Sequence, residues 1–506
     1  MPLDPLPILR HHFGYPGFRP GQEELVRAVL EGRDALGVLP TGGGKSVCYQ
    51  VPALALGGLT VVVTPLISLM EDQVRRALDA GLRAAHLSSG QEAAARRRLL
   101  SRAVEGDLDM LFVAPERLRL ASFRSALARA DVRLLAVDEA HCISEWGHDF
   151  RPAYRGIGRA RSTFEAPVLA LTATATPRVR ADVIGSLCLR DAVTVVRSFD
   201  RPNLSWSVLR GGPKAERVGR IHRLLRRIGG TAVVYAPTRR SVEDVRDALA
   251  GYGVRALAYH AGLEAAERSR VQEAFMGGAC RVVVATNAFG MGVDKSDVRL
   301  VAHVQLPGTL EAYYQEAGRA GRDGAPAWCV AFHAPGDRAL ARAFVDRSHP
   351  PRRRLSRLHR KLLSSADADG VASLRLRAVA RLLGPGATPE DAAAAVAALA
   401  RTGAVRVLPG QDGVLEGTGD PAEGFLCIRI GVRARPHLAP ASRLRHVALA
   451  KLEAVQRFAQ GRGCRRRALL AYFGEVAPPR CGGCDRCLRR SAPQPLEHYR
   501  HPWTDI

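Results

Sequence analysis

Residues 39–46 read LPTGGGKS. Thr41, Gly42, Gly43 and Gly44 form a turn whose backbone N–H groups can wrap phosphate oxygens. Lys45 adds a point charge at the β/γ positions, and the Ser46 hydroxyl is a ligand for Mg²⁺. Val38-Leu39 precede the turn and Val47-Cys48-Tyr49-Gln50 open a helical pattern after it, so it joins a strand to a helix. Only five of the 74 basic residues are lysine, which makes a lysine at this position informative. The complementary half of the pattern is Asp138-Glu139-Ala140-His141, closing the apolar run Leu134–Val137. Such a run reads as a buried parallel strand, which delivers its acids at the carboxyl edge of a sheet. Asp138 is then placed to hold the Mg²⁺ shell and Glu139 to polarise an attacking water, so the pair implies hydrolysis of ATP.

On either side of these motifs, short β-branched runs alternate with amphipathic stretches rich in Ala, Arg and Leu. Strands are expected at Ala35–Leu39, Thr60–Thr64, Asp109–Val113, Leu134–Val137 and Val168–Thr172. The same grammar repeats at Thr231–Tyr235, Val254–Ala258, Arg281–Ala285, Leu300–Val304 and Cys329–Phe332. This is the signature of two α/β domains with doubly wound parallel sheets. The expected divisions are 1–200, 201–347, a helical segment 348–445, a cysteine-bearing unit 446–490 and a tail 491–506. Residues 374–410 read as two helices and a strand, with a hairpin-like segment near Gln411–Gly417, in the order of a winged helix.

The bulk numbers agree with a three-domain soluble chain: 506 residues, 47% apolar and 24% charged. No apolar run has the length of a membrane span, and the start MPLDPLPILRHH lacks the pattern of a signal peptide, so a cytoplasmic location is expected. A net charge of +25 points to a polyanionic partner, most simply nucleic acid. Six of the ten cysteines are scattered singly; the others are Cys464 and, after sixteen intervening residues, Cys481-x2-Cys484-x2-Cys487. Four thiolates at that spacing suit a structural, tetrahedral Zn²⁺.

Further motifs combine into a family resemblance. FGYPGFRPGQ (13–22) offers Tyr15 and Arg19 to stack on a purine and Gln22 to read the adenine edge. VVVTPLISLMEDQV (61–74) offers a Thr-Pro turn and a helix start to phosphate. HCISEWGHDFRPAY (141–154) crowds Trp146, His148, Phe150, Arg151 and Tyr154 into a loop suited to stacking on single-stranded bases and reporting to the neighbouring acids. LTATATP (171–177) can relay from those acids to an interdomain cleft. VVYAPTRRSVEDV (233–245), YHAGL (259–263) and ATNAFGMGVDKSDVR (285–299) fit DNA contact and its coupling to nucleotide, and YYQEAGRAGRDG (313–324) carries Gln315, Arg319 and Arg322.

Together these resemble the RecQ family of ATP-dependent DNA helicases, within superfamily 2, from about Phe13 to Asp323 and again over the cysteine unit. The resemblance implies 3′→5′ movement on single-stranded DNA and unwinding of tailed or forked duplexes in repair and recombination. It implies a monomer, nucleoid-associated, with a single-stranded DNA-binding protein as a partner. It makes Arg322 the arginine finger and Arg319 its γ-phosphate partner, roles that the residues alone leave open. Arg465, Arg466, Arg467, Arg480 and Arg486 are expected to form a basic platform for duplex phosphate. In longer members a winged helix follows the zinc unit; here residues 348–445 precede it, so a strand-separating hairpin is sought at 405–430. Alternatives are a DNA-dependent translocase that does not unwind, a strand-annealing protein in which ATP only sets shape, and an RNA helicase, which the aromatic loop disfavours.

Overall fold

The computed structural model describes residues 4–40, 42–65, 67–88, 90–290, 295–408, 425–430 and 436–488. Apolar runs without a polar face need cover on both sides, and this is what the first sheet receives. Its strands are β1 Ala35–Val38, β2 Leu59–Val63, β3 Ala84–Leu87, β4 Met110–Val113, β5 Val132–Val137, β6 Val168–Thr172 and β7 Val193–Val196, in the order β3-β4-β2-β5-β6-β1-β7. All described pairings are parallel. Every residue of β1, β2, β4 and β6 is buried. Leu25, Val29, Tyr49, Val62, Phe112 and Leu134 pack in its core. The edge strands β3 and β7 are not among the strands expected from sequence. Ala-Ala-His-Leu has little β preference; Val-Thr-Val-Val is a β-branched run that the sequence reading passes over, and at the sheet edge it is only partly buried.

The second sheet contains β8 Leu204–Arg210, β9 Thr231–Tyr235, β10 Leu257–Tyr259, β11 Val282–Ala285, β12 Val298–His303 and β13 Ala327–His333, in the order β10-β11-β9-β12-β13-β8. It too is parallel. The strand expected at 254–258 starts later, at Leu257. β8 is a strand that the sequence reading misses, because its pattern Leu-Ser-Trp-Ser-Val-Leu-Arg mixes polar and apolar residues.

Residues Ala334–Gln460 form a separate compact unit, while residues 461–488 belong to the unit that holds both sheets. Helix Ala439–Gln460 belongs to the Ala334–Gln460 unit. Within the separate unit, helix Arg352–Leu363 is followed by β14 Val371–Arg375, helices Leu376–Leu383 and Pro389–Arg401, then β15 Val405–Val407 and β16 Phe425–Ile430. The strands pair antiparallel in the order β14-β16-β15. This is the element order of a winged helix, with Leu355, Leu362, Val379, Leu399 and Ile428 in its core. Helix Pro389–Arg401 is started by a Thr388–Asp391 capping box, and Arg347 pairs with Asp391 at 2.9 Å. Most of the hairpin sought at 405–430 lies outside the described residues.

Candidate nucleotide and nucleic-acid site

Strand order brings the motifs together. β5, β6 and β1 are neighbours, so the chain segments that leave their carboxyl ends (the acid pair, LTATATP and the Gly-rich turn) share one edge. Gly42 and Gly44 have φ of +84° and +69°, in the left-handed region that glycine enters without a Cβ penalty. A Cβ on Gly43 would lie 2.8 Å from the Pro40 carbonyl oxygen. Helix Val47–Leu56 leaves the turn, with Lys45 and Ser46 half-buried at its start. Thr41 lies outside the described residues.

The purine-stacking segment sits on this turn. Tyr15 is 47% exposed, which leaves its ring available for stacking. Gln22 is buried, and its Nε2 donates to the carbonyls of Gly43 (3.0 Å) and Gly44 (2.9 Å) while its Oε1 accepts from Arg19 N at 2.8 Å. The Arg19 guanidinium donates to the Gly42 carbonyl. The side chain expected to read adenine is thus turned onto the phosphate-binding turn itself.

Asp138 is buried, and its Oδ1 accepts from Glu139 N at 2.9 Å. Burial raises its carboxyl to about 6; the Glu139 charge adds to the rise and Lys45 opposes it. So concentrated a negative site fits a divalent cation held by Asp138 with the Ser46 hydroxyl. Glu139 has φ of +48°, a conformation that costs a non-glycine residue about 1–3 kcal/mol and is held by the surrounding fold. Burial acts upward on Glu139 too, but His141 and Lys45 outweigh it and hold the group down at about 2. His141 Nδ1 lies 3.2 Å from Glu139 Oε2 and 2.9 Å from Thr172 Oγ1. Burial opposes the charged imidazole, yet the Cys142 sulfur and the Glu139 carboxylate raise His141.

His141 is not among the site residues expected from sequence, although it is the last member of the Asp138–His141 tetrad. Its ring stacks on His148 at 4.1 Å with 19° between planes, linking the aromatic loop to Glu139. The same loop is pinned elsewhere: Tyr154 donates its hydroxyl to the Asp138 carbonyl at 3.1 Å. Arg151 donates to the Pro65 carbonyl at 2.7 Å and pairs with Asp149 at 2.9 Å. Arg178 lies over the Trp146 ring at 3.8 Å and Arg155 over Phe150 at 5.0 Å. Arg151 therefore ties the loop to the Thr64-Pro65 turn, while Trp146 and Phe150 remain half-buried with cations on their faces.

The second domain supplies the opposite wall. The Arg322 side chain runs past the turn, its Cγ 3.6 Å from where a Gly42 Cβ would stand. Arg319 is only 7% exposed and donates to the Gly290 carbonyl. Gln315 lies half-buried on helix Leu310–Ala317, which Thr309 caps. A buried His303–Glu316 pair at 2.8 Å fixes that helix against β12.

Cys464, Cys481, Cys484 and Cys487 bring their sulfurs within 4.8 Å of one another. The Cys481–Cys487 and Cys464–Cys484 separations are both 4.0 Å. A tetrahedron with Zn–S bonds of about 2.3 Å has edges of about 3.8 Å, so the four residues fit zinc. Arg465 N and Cys487 N both donate to Cys484 Sγ at 3.4 Å, which suits a thiolate. The basic platform expected here needs correction. Arg465 is 1% exposed and forms a bidentate pair with buried Asp485, at 2.9 and 3.1 Å. Arg466 donates to the Pro202 and Leu204 carbonyls. Arg467 and Arg480 remain exposed. Sequence could not separate them, because the buried partner Asp485 is twenty positions away. Arg465→Ala is expected to destabilise the protein by about 3–5 kcal/mol, since Asp485 would stay buried without its counter-charge. Arg467→Ala should be near neutral. Denaturant unfolding of zinc-loaded protein checks both.

Family models match in three places: DEAD/DEAH box helicase over residues 19–183, helicase conserved C-terminal domain over 214–324, and RecQ zinc-binding over 433–488. The chain is 44% identical over 355 residues to the ATP-dependent DNA helicase RecQ of Pasteurella multocida, spanning 70% of itself and 56% of that protein's length. It is 36% identical over 482 residues to the probable ATP-dependent DNA helicase RecS of Bacillus subtilis, spanning 95% of itself and 90% of that relative. Among solved structures, Mycobacterium smegmatis helicase Lhr bound to ssDNA and AMP-PNP aligns over 85% of this chain and 62% of its own, with TM-score 0.52 and 21% identity, a likeness of fold. With nearly the whole of one relative aligned, three family models matched and the four-cysteine site in place, the chain belongs to the RecQ family of ATP-dependent DNA helicases.

Proposed function

We propose that the protein hydrolyses ATP to move 3′→5′ along single-stranded DNA and to unwind duplex DNA, in repair and recombination. One observation carries this reading: the Gly-rich turn, the acid pair and the aromatic loop meet at one sheet edge, with Arg322 of the second domain alongside Gly42. Thr41, Gly42, Gly43, Gly44 and Lys45 bind the phosphates, and Ser46 and Asp138 hold Mg²⁺. Glu139, kept ionised beside His141, orients the attacking water. Arg322 neutralises charge on the γ-phosphate; Arg319 secures the segment that presents it. Tyr15 and Arg19 take the adenine, with Gln315 on the facing wall. For Gln22 to reach the adenine edge its carboxamide must leave the Gly43 and Gly44 carbonyls, which couples base recognition to the shape of the phosphate-binding turn.

Trp146, His148 and Phe150 stack on DNA bases, each stacked base contributing about 1–3 kcal/mol. Displacement of the His148 ring is felt by His141 and then by Glu139, a path by which occupancy on DNA sets the hydrolytic rate. Arg151 acts by holding the loop to Pro65. Polarity rests on the family resemblance, as do a monomeric state, a single-stranded DNA-binding protein as partner and a nucleoid-associated, cytoplasmic location. Among the described residues no helix is long and apolar enough to cross a membrane.

Trp146→Ala or Phe150→Ala should retain basal ATP hydrolysis and lose most of its stimulation by single-stranded DNA. Stimulation at the wild-type level would overturn the loop's role. The reading as a whole is tested on matched 3′-tailed and 5′-tailed duplexes with ATP, beside Lys45→Ala. Selective opening of the 3′-tailed substrate by the wild type alone supports it. DNA-stimulated hydrolysis with neither duplex opened would make the protein a translocase. Annealing that survives Lys45→Ala, without unwinding in either protein, would make it an annealing factor.

A further inference from the structure

β7 ends at Val196 and β8 begins at Leu204, so the residues between them join the two sheets. The zinc-bearing unit is seated on that connection. Phe473, 1% exposed, stacks on Phe199 at 4.4 Å with 12° between planes. Glu475 accepts from Phe199 N at 2.8 Å and from the Ser198 hydroxyl. Arg466 donates to the carbonyls of Pro202 (3.0 Å) and Leu204 (2.9 Å) and faces Asp200 at 3.4 Å.

The same connection is also held by the arginine-bearing segment. Tyr314 donates its hydroxyl to the Phe199 carbonyl at 2.7 Å and meets the Phe473 ring edge-on at 5.0 Å. Arg201 donates to the carbonyls of Ala320 (3.1 Å) and Gly321 (2.8 Å), immediately before Arg322. The turn at Phe473 also accepts from Arg180 at 3.4 Å, on the helix that follows LTATATP. One short stretch of backbone is thus gripped both by the zinc unit and by the Arg322 segment.

We infer that Phe473 and Glu475 are positioning residues for ATP hydrolysis: the zinc unit braces the interdomain connection so that Arg322 is presented to the phosphate-binding turn. The polar grips go to backbone groups of the connection, so they fix its path. The Phe199–Phe473–Tyr314 cluster converts that path into a fixed position for helix Leu310–Ala317. A group that neutralises charge in the transition state must be placed closely, and a 1 Å displacement costs about 100-fold. The inference rests on the proposal that Arg322 acts in hydrolysis.

The test uses the full chain, with Phe473→Leu and Glu475→Gln made singly and in an Arg322→Lys background. In the wild-type background each is expected to lower DNA-stimulated kcat by about tenfold. Affinity for a non-hydrolysable ATP analogue should stay within about threefold and zinc content at about one per chain. In the Arg322→Lys background the same changes should cost little further, because they act through the same group. Equal fractional losses in both backgrounds, or an unchanged kcat in the wild-type background, would overturn the brace. If Phe473→Leu loses zinc, the isosteric Glu475→Gln decides. A separate outcome, Arg322→Lys hydrolysing ATP at the wild-type rate, would remove the role of Arg322 and the brace with it; the brace alone fails when Arg322→Lys is slow and the two variants are not.

Discussion

Arg322→Ala is expected to lower ATP turnover by roughly 10³-fold or more, with nucleotide affinity nearly unchanged. The argument is geometric. The Arg322 stem runs alongside Gly42 of the Gly-rich turn, its Cγ 3.6 Å from where a Cβ on that residue would stand. In the proposed role its guanidinium meets charge that develops only as the γ-phosphate leaves, so removal is expected to act on kcat rather than on binding. Arg319→Ala should behave differently. Arg319 is buried and bonded to the Gly290 carbonyl, so its loss leaves that oxygen without a partner and costs about 1–3 kcal/mol of stability. Single-turnover hydrolysis, analogue binding and thermal unfolding on the two variants separate the roles. An Arg322→Ala protein that hydrolyses ATP at the wild-type rate would remove the assignment.

Cys484→Ala is expected to reduce zinc from about one per chain to well below it and to lower the unfolding temperature sharply. Cys484 is fully buried, receives two backbone N–H groups and has its sulfur 4.0 Å from that of Cys464, within the four-sulfur cluster. A structural zinc contributes on the order of 10 kcal/mol to folding of its own unit. Loss should spread beyond that unit, because Phe473 and Glu475 reach the connection between the sheets. Metal analysis with a thermal scan checks this. Full zinc retention in Cys484→Ala would exclude the residue as a ligand.

Much of the catalytic edge is legible in consecutive residues. A Gly-rich turn between a strand and a helix, and an acid pair at the end of an apolar run, report local conformation, and local conformation is written over short stretches of chain. Inner strands are legible for the same reason: β1, β2, β4 and β6 are buried on both faces and read as near-continuous apolar runs. The edge strands β3 and β7 and the mixed strand β8 are not, since their pairing depends on neighbours distant in the chain. The cysteine spacing names the metal site, but the arginines around it look alike.

Short-range pattern was thus sufficient for the α/β plan and the four-cysteine site, and it is what the proposed phosphate-binding turn, acid pair and aromatic loop rest on, because the chemistry of each follows from residue type and spacing. How like residues divide their labour is a matter of long-range packing. The fold sets Arg322 beside the phosphate-binding turn and Arg319 in the interior. It buries Arg465 against Asp485, turns Arg466 onto the interdomain connection, and stacks His148 on His141. The physical reason is common to all of these: a charged or aromatic side chain takes its role from the partner it meets and the water it loses, and both depend on segments far apart in the chain.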